Sequence, residues 1–189
     1  MPTPPTAAPH TPAASLRPPS LSDRYDLLEG RVFLNGNQAL IRLTIEQMRL
    51  DQRNGLRTRA YVTGYPGSPL GGLDIALGQA KKSLETHGIT HQPGQNEELA
   101  ATALMGTQML NEYPHPDVDG VVGYWYGKGP GLDRSGDALK HGNFAGTSTH
   151  GAVVILSGED HEAKSSTVPY QMEFAFEHHG IPVLYPASV

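Results

Sequence analysis

The chain reads as an α/β protein built on a mostly parallel sheet with helices on both faces. Three observations carry this. Helix-like and strand-like periodicities alternate from about residue 21 onward. The most apolar run, Ala152 to Leu156, is rich in β-branched residues and does not alternate, which suits a strand buried on both faces. A loop dense in glycine and proline, GYPGSPLGG (Gly64 to Gly72), lies between a strand pattern and a helix pattern.

Taken in order, residues 1–20 hold seven of the 16 prolines and almost no apolar bulk, so a disordered tail is expected there. The domain proper runs from 21 to 189. Ile41, Ile45, Met48 and Gln52 recur at helical spacing and predict a helix from about Gly36 to Arg53, stopped by Asn54-Gly55. Arg59 to Thr63 reads as a short strand. Helices are expected over about Leu73 to Thr86 and Asn96 to Asn111. Val118 to Tyr126 and Ala152 to Ser157 read as strands, Pro169 to His179 as a helix, and Ile181 to Tyr185 as a last strand. Trp125 to Asp137, with four glycines, reads as a flexible loop. Ligands of parallel sheets bind beyond the carboxyl ends of the strands, so the loops after Thr63, Tyr126 and Ser157 form the expected functional rim. The chain stops directly after IPVLYPAS, where a helix normally follows, and it therefore reads as a fragment of something larger.

Composition removes several classes. The net charge is −5 and there is no basic run, which argues against nucleic acid. No apolar stretch approaches the roughly 20 residues of a membrane span. With no cysteine, the chain itself can hold neither a disulfide nor a cysteine-ligated cluster. No secretory signal is visible, and a cytoplasmic location is expected.

Familiar motifs fail one by one. GKGPGL (Gly127 to Leu132) has Leu132 where a dinucleotide fingerprint needs its third glycine, and the Walker pattern lacks its hydroxyl residue at Gly129. Leu70 stands where a nucleophile elbow around Ser68 would need glycine, so a serine hydrolase is disfavoured. The nine histidines show no ligand spacing, and no metal site is expected. GEDH (Gly158 to His161) reads better as a solvated loop than as a cation site. Three segments remain: the GYPGSPLGG loop, QNEELAATALMG with its acidic helix start, and WYGKGPGLDRSGD with Lys128. Singly, each also has an ordinary reading: a strand-to-helix turn, favourable first-turn charge, a solvating lysine.

In order, however, EGRVFLNGNQALIRL, GYPGSPLGGLDIAL, GQNEELAATALMGTQ, YGKGPGLDRSGD, HGNFAGTSTHGAVVILSGEDHEAKSS and HHGIPVLYPASV resemble one family. It is the indolepyruvate ferredoxin oxidoreductases, within the 2-oxoacid:ferredoxin oxidoreductases. The likeness runs from about Ser22 to Val189 and points to the N-terminal, pyrimidine-side domain of the thiamine-diphosphate-binding fold.

The resemblance implies roles. Glu97 matches the glutamate that contacts the aminopyrimidine ring of thiamine diphosphate, where a carboxyl group favours the imino tautomer that activates the cofactor. Gly64, Pro66 and Gly67 fall in the cofactor-facing loop. Ser68 matches a hydroxyl residue facing the 2-oxoacid, and Lys128 a basic residue near its carboxylate. The implied reaction is oxidative decarboxylation of an aryl pyruvate, with electrons passing through iron–sulfur clusters to ferredoxin and coenzyme A as a further candidate partner. The cofactor's diphosphate and magnesium belong to a GDG motif that this chain lacks, so another domain or subunit is expected to hold them, in an oligomer. The alternative is a non-catalytic assembly module of the same fold with a vestigial site.

Overall fold

The computed structural model describes Pro18 and residues 20–186, so the expected tail lies almost wholly outside the described residues. Its centre is a four-stranded, all-parallel sheet in the order β2-β1-β3-β4: β1 is Arg59–Gly64, β2 Ile89–His91, β3 Val121–Lys128 and β4 Ala152–Gly158. The α/β class and the parallel sheet are thus as the periodicities predict.

Helices cover both faces. The short α1 (Asp23–Asp26) leads into α2 (Gly36–Arg53), whose start carries a reciprocal cap. Asn35 Oδ1 accepts from the Gln38 N–H at 2.9 Å, and Gln38 Oε1 accepts from the Asn35 N–H at 3.1 Å. Ile41, Ile45 and Met48 of α2 pack on Ala60, Val62, Val122, Tyr124 and Tyr126 of the sheet. Leu73 and Leu77 of α3 (Gly71–Gln79) and Leu84 of α4 (Lys81–Thr86) complete that face. On the opposite face, α5 (Glu97–Thr107), α6 (Gly129–Ala145) and α7 (Met172–His179) enclose Trp125 with Ala100, Leu104, Leu132, Leu139 and Phe176. The alternation of β3 explains the division, since Tyr124 and Tyr126 point to one side and Trp125 to the other.

Two polar anchors fix the first face. At the end of α2, the buried carboxylate of Asp51 accepts from Thr58 Oγ1 at 2.6 Å and Gln47 Nε2 at 2.8 Å, tying the helix to the start of β1. Arg49 reaches the Tyr25 carbonyl at 2.6 Å, and Arg42 the Leu27 carbonyl at 2.6 Å, holding α1 against α2.

Four expectations are corrected. The stretch after Lys128 is not a flexible loop; Gly129–Ala145 is a 17-residue helix, entered through Pro130 and packed closely on α5. The helix expected over Leu73 to Thr86 breaks at Ala80, and a three-residue strand follows it at Ile89. Residues 181–185 run extended without joining the sheet, because Pro182 removes a ladder donor. Finally, β4 is an edge strand, not one buried on both faces: Val153 and Val154 are 38% and 37% exposed.

Candidate functional site

The carboxyl ends of β1, β3 and β4 converge with the first turns of α5 and α6. Backbone contacts hold this rim. The Tyr65 N–H donates to the Tyr126 carbonyl at 3.1 Å, and the Gly94 N–H to the Gly64 carbonyl at 2.8 Å. The loop after β1 and the approach to α5 therefore both hang from Gly64. A Cβ at Gly64 would lie 2.1 Å from the Tyr126 carbonyl oxygen, so only glycine permits this approach.

Glu97 is the first residue of α5 and half-buried. Asn96 caps the helix by accepting from the Leu99 N–H at 2.9 Å. The Glu97 carbonyl accepts from the indole Nε1 of the fully buried Trp125 at 3.0 Å, fixing the residue to the sheet. Its side chain crosses to α6: a Cβ on Gly131 would meet Glu97 Cγ at 2.5 Å and Oε1 at 2.8 Å. The carboxylate thus lies on the first turn of a long helix whose N-terminus no side chain caps. Unpaired N–H groups and the helix dipole favour an anion there.

Pro66 and Ser68 are exposed on the loop after β1, and Gly67 is half-buried. Gly67 packs under Lys128, whose Cδ would stand 3.0 Å from a Cβ at that position. The structure therefore brings the GYPGSP loop and Lys128 together as one wall. The Lys128 ammonium is already engaged, however. It donates to the Ser165 carbonyl at 2.6 Å and Ser165 Oγ at 2.9 Å, with Asp160 Oδ2 at 3.8 Å. Asp160 in turn accepts from the Ser165 and Lys164 N–H groups, both at 3.0 Å, and from the Ser165 and Ser166 hydroxyls. The Ser165 N–H, chiefly, holds the Asp160 carboxyl below its ordinary range, with the other three donors adding to it. Both Asp160 oxygens are thus spent on organising GEDHEAKSS, and the Asp160 side chain is only 12% exposed. Among the described residues, no group of three or more histidines and carboxylates is placed to hold a metal ion.

Sequence reasoning missed two further parts. Ser165 and Asp160 were visible only as members of GEDHEAKSS; their partnership with Lys128 joins positions far apart in the chain. The second part is a buried polar chain below the loop. Tyr126 donates its hydroxyl to Asp74 Oδ1 at 2.6 Å, and His91 Nε2 stands 3.2 Å from the same hydroxyl oxygen. Burial, reinforced by Asp74, pushes the Tyr126 phenol far above its ordinary value, so it stays protonated. Burial lowers the pKa of His91, partly opposed by Asp74.

The class defined by this geometry is an α/β protein with a parallel sheet that carries Glu97, the loop after β1 and Lys128 on its carboxyl rim. No helix among the described residues is long and apolar enough to cross a membrane. No family model, curated protein or solved structure matches the chain.

Proposed function

We propose that the chain is the pyrimidine-side domain of a thiamine-diphosphate-dependent 2-oxoacid:ferredoxin oxidoreductase acting on an aryl pyruvate such as indolepyruvate. One observation carries the reading: Glu97, the residue the family resemblance singles out, sits half-buried on the rim with its side chain pressed on Gly131 at the α6 N-terminus. A carboxyl group anchored through Trp125 and α5 is what an aminopyrimidine ring requires beside it. The residues present fit that half of the cofactor. The diphosphate and its magnesium fall to another domain or subunit, and iron–sulfur clusters to a part of the enzyme outside this chain.

When bound, thiamine diphosphate supplies an electron sink for loss of carbon dioxide from a 2-oxoacid. The chain's own part is orientation and proton handling. Glu97 exchanges a hydrogen bond with the ring and sets its tautomer. Pro66 and Gly67, with the Lys128 stem over Gly67, would form the wall beside the ring, while Gly64 is buried against Tyr126 and acts by holding the loop in place. Ser68, exposed at the loop tip, offers a hydroxyl to the substrate. Lys128 supports this wall through its stem and carries a positive charge close to it. Two of the ammonium's three N–H groups are held by Ser165, which leaves one for a substrate carboxylate.

The test is made on the protein purified anaerobically from its source cells, with whatever it is assembled with. Bound thiamine diphosphate and aryl-pyruvate-dependent reduction of a viologen dye are measured for wild type and Glu97→Gln. Cofactor and turnover in the wild type, with turnover lost by at least about 100-fold in the variant, supports the reading. Material without thiamine diphosphate, or a variant with undiminished turnover, overturns it and leaves an assembly module.

A further inference from the structure

Tyr126 holds the loop between β1 and α3 at both ends. At the entrance its carbonyl oxygen accepts from the Tyr65 N–H at 3.1 Å. At the exit its phenol crosses beneath the loop to the first turn of α3, where Asp74 Oδ1 accepts the hydroxyl proton at 2.6 Å. Between these two points lie Pro66, Gly67, the exposed Ser68 and the cis Ser68–Pro69 peptide. The residue making both bonds is itself 0% exposed and sits in β3, inside the sheet.

The chemistry of the chain fixes the direction of each bond. A phenol has one proton, and at 2.6 Å an acceptor-only carboxylate takes it. The Tyr126 oxygen is then left to accept, so His91 must donate from Nε2, and the neutral ring carries its proton there. His91 ends β2 in register with Val62, so the chain Asp74–Tyr126–His91 ties α3, β3 and β2 together under the loop. From the sheet, the Tyr126 phenol makes the short bond to α3, and His91 Nε2 of β2 stands 3.6 Å from the same Asp74 oxygen.

We infer that Tyr126 is the positioning residue for the Ser68 loop, a two-point clamp whose phenol is set by Asp74 and His91. The clamp stands on geometry alone. Its weight for substrate handling rests on the reading of Ser68 as substrate-facing, and the two are separable by experiment.

Amide hydrogen exchange of the chain reads the clamp directly, with no cofactor needed. Tyr126→Phe keeps the ring and the backbone bond but removes the phenol. Exchange of the hydrogen-bonded amides at the two ends of the loop, Tyr65 and Leu73, should then rise roughly five- to tenfold, the equivalent of one lost hydrogen bond in local opening. Amides of Val62 and Val122 in the strands should stay within twofold of wild type. Asp74→Asn keeps an acceptor at Oδ1 and should preserve loop protection, whereas Asp74→Ala should match Tyr126→Phe. Unchanged loop exchange in Tyr126→Phe overturns the inference, as does a rise shared equally by loop and strands. If Tyr126→Phe weakens the whole chain, the Asp74→Asn and Asp74→Ala pair decides, because both lie at the loop's exit outside the sheet. Equal exchange in those two variants also overturns the clamp. A Glu97→Gln control, which tests the functional reading, should leave this exchange pattern untouched.

Discussion

The Cα of Gly131 faces the side chain of Glu97 so closely that a Cβ there would stand 2.5 Å from Glu97 Cγ. The carboxylate side chain thereby packs on a helix terminus, and the smallest residue makes the space. Gly131→Ala should force Glu97 aside or push α6 off α5. Overpacking of this kind costs about 1–3 kcal/mol, seen as a lower denaturation midpoint. Under the proposed function it should also weaken thiamine diphosphate binding, because the carboxylate is moved instead of removed. A variant as stable as wild type would mean that the α5–α6 seam yields freely.

Lys128→Met keeps an apolar stem over Gly67 and removes the ammonium held by Ser165 and Asp160. Global stability should fall by about 1–3 kcal/mol, since the two hydrogen bonds to Ser165 are lost and Asp160, its side chain only 12% exposed, is left without its cation. The local effect should be larger. Limited proteolysis at Lys164 should accelerate, and an uncut loop at wild-type rate would count against Lys128 as its anchor.

Asp51→Ala should be among the most damaging polar changes outside the rim. It strands the Thr58 hydroxyl and the Gln47 amide at the junction of α2 and β1. A loss of about 1–3 kcal/mol in chemical denaturation is expected. Asp51→Asn, which keeps an acceptor, should recover part of it.

Acid should destabilise the fold in two steps. Burial lowers the folded-state pKa of His91 and of His179 below the ordinary 6.5. The unfolded chain then binds protons that the folded chain does not, so stability falls as pH drops from 6.5 through the folded values and levels off below them. Around His91 the charged neighbours are Asp74, which opposes the shift, and Lys81 and Glu85 along the groove beside β2. Hydrogen bonds hold the carboxyls of Asp160 and Asp119 below 3.8, and their contribution is lost at lower pH still. Thermal melts of wild type and a His91→Gln/His179→Gln double variant between pH 7.5 and about 5 check the first step, where the variant's curve should be flatter.

Much of this could be read from residue order. The α2 helix, β1 and the strand at Ala152 follow from periodicity and from breakers such as Asn54-Gly55, because local pattern and tertiary packing agree there. The α6 helix was hidden. Each helical glycine costs about 1 kcal/mol against alanine, so GPGLDRSGD looks like a loop until α5 is present to receive it. Its glycines are contact points: Gly131 on Glu97, Gly136 on His179, Gly142 on Met105. Residues 181–185 misled in the opposite way, with apolar strand-like side chains between Pro182 and Pro186. At the rim, the positions of Glu97 and Lys128 were legible, but the hold of Ser165 on Lys128 and of Tyr126 on Asp74 was not. Such bonds join segments that only the folded sheet brings together.

The register of the sheet also governs how the chain comes to be folded. Arg59 pairs with Val121 and Val122 with Ala152, so every strand meets its partners only after a helix has intervened. No β-hairpin is available as an early nucleus, and the central strand must wait for distant residues before either edge is satisfied. On the ribosome, β1 emerges long before β3, with α2 ahead of it and α3, α4 and β2 following before β3 is made. The face of β1 covered by α2, α3 and α4 should therefore assemble first, with the parallel sheet closing late and cooperatively once β3 and β4 have been translated.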